Sequence, residues 1–132
     1  MDDVLKLTTQ FVNDIDEIIK KNLKKEELDE IKKSDGREKN SPECCKKSSS
    51  IYFLYNDKEE IIYIGETGAS VKHRLFTDGS GSHDKKGWIS KVRKLRYYKN
   101  DEMDPNSRKT IERALIQKHN PKYNNDKNKT KT

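Results

Sequence analysis

Two apolar runs constrain this chain more than any other feature of it: Ile51-Tyr52-Phe53-Leu54-Tyr55 and Ile61-Ile62-Tyr63-Ile64-Gly65, separated by the polar Asn56-Asp57-Lys58-Glu59-Glu60. β-branched and aromatic residues on both sides of a polar turn predict an antiparallel hairpin. With the turn centred on Asp57-Lys58, Asn56 faces Glu59 and Tyr52 faces Tyr63, so strand alternation puts both tyrosines on one face. Ile51, Phe53, Ile62 and Ile64 take the opposite face, the side a helix layer would cover, so the tyrosines need not be core. Only 30% of the 132 residues are hydrophobic and 39% are charged. Ordering each residue costs about 1–2 kcal/mol that burial must offset, so this composition supports a core of about 80 residues with polar flanks.

Before the hairpin, Val4, Leu7, Phe11, Ile15, Ile18, Ile19, Leu28 and Ile31 recur at helical steps and predict one long helix or a helix pair over residues 2–33. Such a helix packs against the domain that follows, or serves as a homodimer, protein-partner or DNA-positioning surface. Residues 34–50, from Ser34-Asp35-Gly36 to Ser48-Ser49-Ser50, are polar and aperiodic and read as a linker. After the hairpin, Thr67 caps a helix from Gly68 to Phe76 with Val71 and Leu75 turned inward, and a glycine-serine loop follows that holds His83. Trp88, Ile89 and Val92 suggest a short helix, and Leu95-Arg96-Tyr97-Tyr98 a third strand. Asp104-Pro105 opens a last helix whose stripe is Ile111, Ala114 and Leu115, with Glu112 at its edge, closing before Asn120-Pro121. The expected organisation is a helical extension and linker over residues 1–45, a main domain over 46–125, and a polar, disordered tail over 126–132. The fold class is α/β (α+β), a small three-stranded antiparallel sheet flanked by helices with an N-terminal helical extension.

Charge divides unevenly. Residues 1–45 hold 9 basic and 12 acidic residues, and residues 46–132 hold 20 and 11. The positive field of the second part, with Lys85, Lys86, Lys91, Arg93, Lys94, Arg96, Lys99, Arg108, Lys109, Arg113 and Lys118, suits a polyanion, most often nucleic acid. Gly79-Ser80-Gly81 follows a helix rather than a strand and is no phosphate loop. No apolar run approaches the length of a membrane span, and Met-Asp-Asp-Val is the wrong opening for a signal peptide. Cys44 and Cys45 are neighbours, close no loop and lack zinc spacing, which fits a reducing, cytoplasmic setting.

In chain order stand Tyr52 on the first strand, Tyr63-Ile64-Gly65 closing the second, Arg74 after eight intervening residues, Glu112 on a later helix, then Pro121-Lys122-Tyr123-Asn124. This order resembles the GIY-YIG nuclease family over residues 50–125, with one departure: the first half-motif reads Ser50-Ile51-Tyr52, a serine in place of its glycine. The resemblance implies a small α/β domain that cuts phosphodiester bonds in DNA with one divalent ion, Mg²⁺ or a substituting Mn²⁺, in a bacterial or phage setting. It matches Tyr52 and Tyr63 to the motif tyrosines, Gly65 to the motif glycine, Arg74 to the helix arginine and Glu112 to the metal-binding glutamate. Asn124 matches a downstream asparagine that contacts substrate or fixes the turn after Pro121. His83 is the looser match for a catalytic histidine, with His73 the other one nearby. Lys72, Lys85, Lys86, Lys91, Arg93, Lys94, Arg96, Lys109 and Arg113 are the expected DNA contacts.

Phosphodiester hydrolysis needs an activated water and stabilisation of charge on the phosphorane oxygens. One carboxylate holds a hard cation that keeps its waters, a guanidinium fork suits phosphate oxygens, and a phenol becomes a base only where cations depress its pKa. Tyr52 is the expected base and Tyr63 its positioning partner. The rival reading is a catalytically inactive or partner-activated nucleic-acid-binding protein on the same fold, which Ser50 would suit.

Overall fold

The computed structural model describes residues 3–27, 47–71, 75 and 87–124. Its central element is β2 (Ser50–Tyr55), in which all six residues are buried, as expected for the most apolar run of a charged chain. On one side β2 pairs antiparallel with β3 (Ile61–Thr67), and on the other with β4 (Lys94–Lys99). A short strand, β1 (Lys24–Glu27), extends the sheet along β4 to give the order β1-β4-β2-β3. Helices flank the three expected strands, so the α+β class is as read from the sequence.

The hairpin register differs from the expected one, and the turn explains why. Asn56 closes the loop against Glu60, its carboxamide oxygen accepts from the amides of Lys58 and Glu60, and Glu59 takes a left-handed backbone with φ 63°. This is a three-residue loop with one left-handed position, and it moves the pairing by one residue. An irregularity beyond Leu54 moves it by one more, so Tyr55 pairs with Ile61 but Leu54 with Tyr63 and Tyr52 with Gly65. Two one-residue shifts preserve side-chain parity. Tyr52 and Tyr63 therefore share a face although they are not opposite one another. Ile62, expected on the Ile51 face, is the residue displaced at the irregularity and joins the tyrosine face instead.

Both faces are covered. Tyr52, Leu54, Ile62, Tyr63, Leu95 and Tyr97 pack with Val71, Leu75, Val92 and Tyr123 on one side, against Trp88 and Ile89 of a 3-10 turn at Gly87–Lys91. Ile51, Phe53, Tyr55 and Ile64 pack with Ile19 and Leu115 on the other. The tyrosine face, left open by the sequence, is core as well: Tyr52 is fully buried and Tyr63 nearly so. Val71 and Leu75 are helical and fully buried, as their spacing predicts.

The last long helix, α2 (Pro105–His119), begins where expected: the Asp104 carboxylate accepts from the Ser107 amide at 2.7 Å, with proline in the first turn. It ends at Asn120, left-handed with φ 48°, whose N–H donates to the Ile116 carbonyl. The N-terminal helix, α1 (Asp3–Lys21), is shorter than predicted. Lys24-Lys25-Glu26-Glu27 offers no apolar position to continue the stripe and becomes, among the described residues, the outer strand beside β4. The predicted linker is likewise not loose at its described end. Ser48 and Ser49 are buried, the Ser49 amide donates to Asp101, and the Ser49 hydroxyl donates to the Met103 carbonyl. The remainder of that segment, Leu28, Ile31, the loop with His83 and the tail lie outside the described residues. Among the described residues no helix is long and apolar enough to cross a membrane.

α1 is latched to α2 through Asp16, which is 3% exposed. Its carboxylate lies 2.6 Å from His119 Nε2, 3.1 Å from Lys20 Nζ and 3.2 Å from Lys118 Nζ. Burial pushes this carboxyl up, but the hydrogen bonds to His119, Lys20 and Lys118 outweigh it and hold the group below its ordinary 3.8. A depressed carboxyl stabilises the fold fully above its unfolded pKa, and that contribution is lost as pH falls through the folded one. Asp16→Asn should therefore cost about 1.5–3 kcal/mol at neutral pH and flatten the acid limb of the stability curve below about pH 4. Chemical denaturation at several pH values reads both effects.

Candidate active site

The paired tyrosines and the glycine between them form one packed unit. Gly65 faces Tyr52 across the hairpin, and a methyl group at Gly65 would stand 2.3 Å from the Tyr52 ring and hydroxyl. Only a residue without Cβ admits the ring there. Tyr63 lies beside it with ring centroids 6.2 Å apart and planes at 27°. The file of rings continues from Tyr63 to Trp88 at 4.9 Å and from Trp88 to Tyr123 at 5.4 Å, both stacked. Neither Trp88 nor Tyr123 was singled out for the site by the sequence, because their meeting joins segments far apart in the chain.

Asn124 fastens the same strand from outside. β3 is an edge, and its Ile64 amide and carbonyl would lack ladder partners on the outer side. The Asn124 carboxamide supplies both: its oxygen accepts from the Ile64 N–H at 2.9 Å and its nitrogen donates to the Ile64 carbonyl at 2.9 Å, all buried. Of the two expected roles, this geometry is the backbone-fixing one, applied to the strand between Tyr63 and Gly65 rather than to the turn after Pro121.

Glu112 sits half-buried on α2, one turn beyond Arg108. Arg108 arches over the end of β3. Its Nε donates to Glu66 at 2.8 Å and its Nη1 to the Ser49 hydroxyl at 3.0 Å, and a methyl group at Gly68 would lie 2.7 Å from its Nη2. The sequence reading took Arg108 as part of the basic surface, whereas here it ties α2 to β3 and so fixes the helix that carries Glu112. Ser50, where the first half-motif departs from glycine, is fully buried with its hydroxyl 2.8 Å from that of Ser48, so the serine is accommodated without strain on the strand.

The remaining site residues divide. Arg74, His83, His73, Lys72, Lys85 and Lys86 lie outside the described residues. Lys94 and Arg96 are on the Tyr55 face of the sheet, where both pair with Glu59 and Arg96 stacks over the Tyr55 ring at 4.4 Å. Lys109 and Arg113 are exposed on α2. Lys91 and Arg93, with Lys20, Lys58, Lys122 and His119, line a concavity of about 1080 Å³ at the turn end of the hairpin. The Nζ atoms of Lys91 and Lys122 lie 5.8 and 5.5 Å from the Tyr123 ring centroid, where the ring file meets this concavity. Three acids also line it, Asp57, Glu59 and Glu60, of which Glu59 is held by Lys94 and Arg96 and Glu60 by Asn56.

Fold and site together define an α+β domain organised around a tyrosine-bearing hairpin. Residues 48–124, more than half of the chain, match the family model described as the GIY-YIG catalytic domain. The chain belongs to the GIY-YIG family, which makes it a nuclease in general class and nucleic acid its partner. No curated protein matches it. The matched span opens at the buried Ser48 and closes on Asn124, the residue that fastens β3.

Gly65→Ala should displace the Tyr52 ring and destabilise the fold by about 1–3 kcal/mol through overpacking. Thermal unfolding reads the stability, and an unshifted melting temperature would show that the ring can move aside freely.

Proposed function

We propose that this protein is a metal-dependent endonuclease that hydrolyses phosphodiester bonds in DNA. The observation that supports it best is the packed unit of Tyr52, Gly65 and Tyr63, held at one geometry by ring contact and by the Asn124 pair. Preorganised groups lower a barrier without reorganising during the reaction. Tyr52, ionised to the phenolate beforehand by the cations gathered at the phosphate, orients the attacking water and accepts its proton at the phenolate oxygen. Tyr63 holds the Tyr52 ring in place, and Arg74 clamps the phosphate oxygens with its planar fork.

Glu112 provides the anchor for a divalent ion. Its half-buried carboxylate, on a helix tied to β3 by Arg108, would be the one protein oxygen ligand among the described residues, of the kind a hard cation takes. When bound, Mg²⁺ or Mn²⁺ supplies neutralisation of the charge that develops on the scissile phosphate. His83 contacts substrate from its loop. The DNA backbone runs from the tyrosines along Trp88 and Tyr123 to the concavity, where Lys91, Arg93 and Lys122 meet phosphates. Lys72, Lys85, Lys86, Lys109 and Arg113 extend the same positive field, and α1 is a partner surface of a protein acting in the cytoplasm.

Conversion of supercoiled plasmid to nicked and linear forms in Mg²⁺, Mn²⁺ or EDTA tests the reading. Wild type should cut only with metal, and Glu112→Ala should lose cutting yet retain DNA on a gel. Arg74→Ala should lower the rate by roughly 10²–10³ with little loss of affinity. Absence of cutting in every metal, with DNA still bound, would establish the binding protein instead. Lys91→Ala and Lys122→Ala should each weaken binding of all DNA sequences alike and reduce the salt dependence by about one counterion. Binding titrations at several salt concentrations measure it, and an unchanged slope would remove those lysines from the interface.

A further inference from the structure

α1 carries an apolar stripe that the rest of the described chain does not cover. Every residue from Asp3 to Phe11 is exposed, and Val4, Leu7, Phe11 and Ile18 are 73, 70, 49 and 58% exposed at helical three- and four-residue spacing. The second half of the helix is anchored by Asp16 and Ile19, and beside it runs a shallow, mainly apolar groove of about 160 Å³ lined by Ile15, Ile18, Ile19, Tyr98, Met103 and Ile111, with Asn100 its one amide side chain. One half of the helix thus presents apolar side chains, and the other half presents a place to put them.

We propose that this surface takes a second copy of this chain, with the two α1 helices antiparallel about a two-fold axis at Phe11. The stripe is complementary to itself in that orientation. With Phe11 against Phe11, Leu7 falls opposite Ile15 and Val4 opposite Ile18, so the exposed half of each helix covers the groove of the other. An isologous contact needs this reciprocity. Charge agrees with this orientation: Asp3 in the first turn of one copy lies toward Lys21 in the last turn of the other, on the same flank of the stripe, whereas Lys20 is turned to Asp16 of its own helix and lies off the contact. A parallel pair would set Asp3 beside Asp3 and Lys21 beside Lys21. The alternation of acids and lysines along α1 is also unlike the cationic polar face of a helix that lies on a membrane. The proposal does not rest on the nuclease reading and goes beyond it.

Sedimentation equilibrium of the full chain over about 5–200 µM tests the association, which depends on protomer concentration. The wild type should be dimeric at the upper end, and Phe11→Asp should raise the dissociation constant at least about tenfold with an unchanged circular-dichroism melt, since this side chain is largely outside the protomer core. In a Cys44→Ser, Cys45→Ser background, Phe11→Cys should cross-link to itself on oxidation, whereas Thr9→Cys, on the other side of α1, should not. A monomer throughout that range, a dimer indifferent to Phe11→Asp, or equal cross-linking at both positions would overturn the proposal. A stripe reserved for a different protein, or for a DNA-positioning arm, would give the first of these results.

Discussion

The carboxamide of Asn124 and the backbone of Ile64 make the contact on which the geometry of this domain turns. β3 carries Tyr63 and Gly65, yet it is an outer strand, with helices on both faces and, among the described residues, no neighbour beyond it. Buried backbone groups without partners are costly, and Asn124 satisfies the two that lie between the motif residues. The segment that delivers it is itself set by α2: the helix stops at a left-handed Asn120, turns at a buried Pro121, and lays Tyr123 against Trp88 before Asn124 reaches the strand. A side chain near the end of the matched span thereby stands in for a missing strand.

From that fastening the rest follows in order. A fixed β3 presents Gly65 to the Tyr52 ring at a distance no other residue would permit, and the ring in turn meets Tyr63. Arg108 holds the end of β3 to α2 through Glu66 and to the start of β2 through Ser49. The helix that bears Glu112 and the strand that bears Tyr63 and Gly65 are therefore tied at two places, at Ile64 within the motif and at Glu66 just after it. Such double attachment is how a site keeps small tolerances in a domain with little apolar material to spare.

Much of this was legible in the sequence, and the pattern of what was not has physical causes. The hairpin, the third strand, the capped last helix and the inward Val71 and Leu75 rest on local periodicity and local capping, which a single sequence displays. The hairpin register was missed because it depends on Glu59 adopting a left-handed backbone, which glutamate does not announce. The tyrosines still shared a face because two shifts cancel in parity. The edge strand at Lys24–Glu27 was invisible because its pairing partner, not its composition, makes it a strand. In the site, Tyr52, Tyr63, Gly65, Glu112 and Asn124 could be named from their order. What Asn124 bonds, what Arg108 holds and how Trp88 and Tyr123 extend the ring file are contacts between distant segments, and no local pattern encodes them.

The most direct test of this account is amide hydrogen exchange at Ile64, followed residue by residue in the wild type and in Asn124→Ala. The account predicts that the wild-type Ile64 amide, although on the outer edge of the sheet, exchanges as slowly as the amides of β2, and that this protection falls selectively in the variant together with DNA cleavage. An Ile64 amide that exchanges like a free edge in the wild type, or that keeps its protection without Asn124, would contradict it.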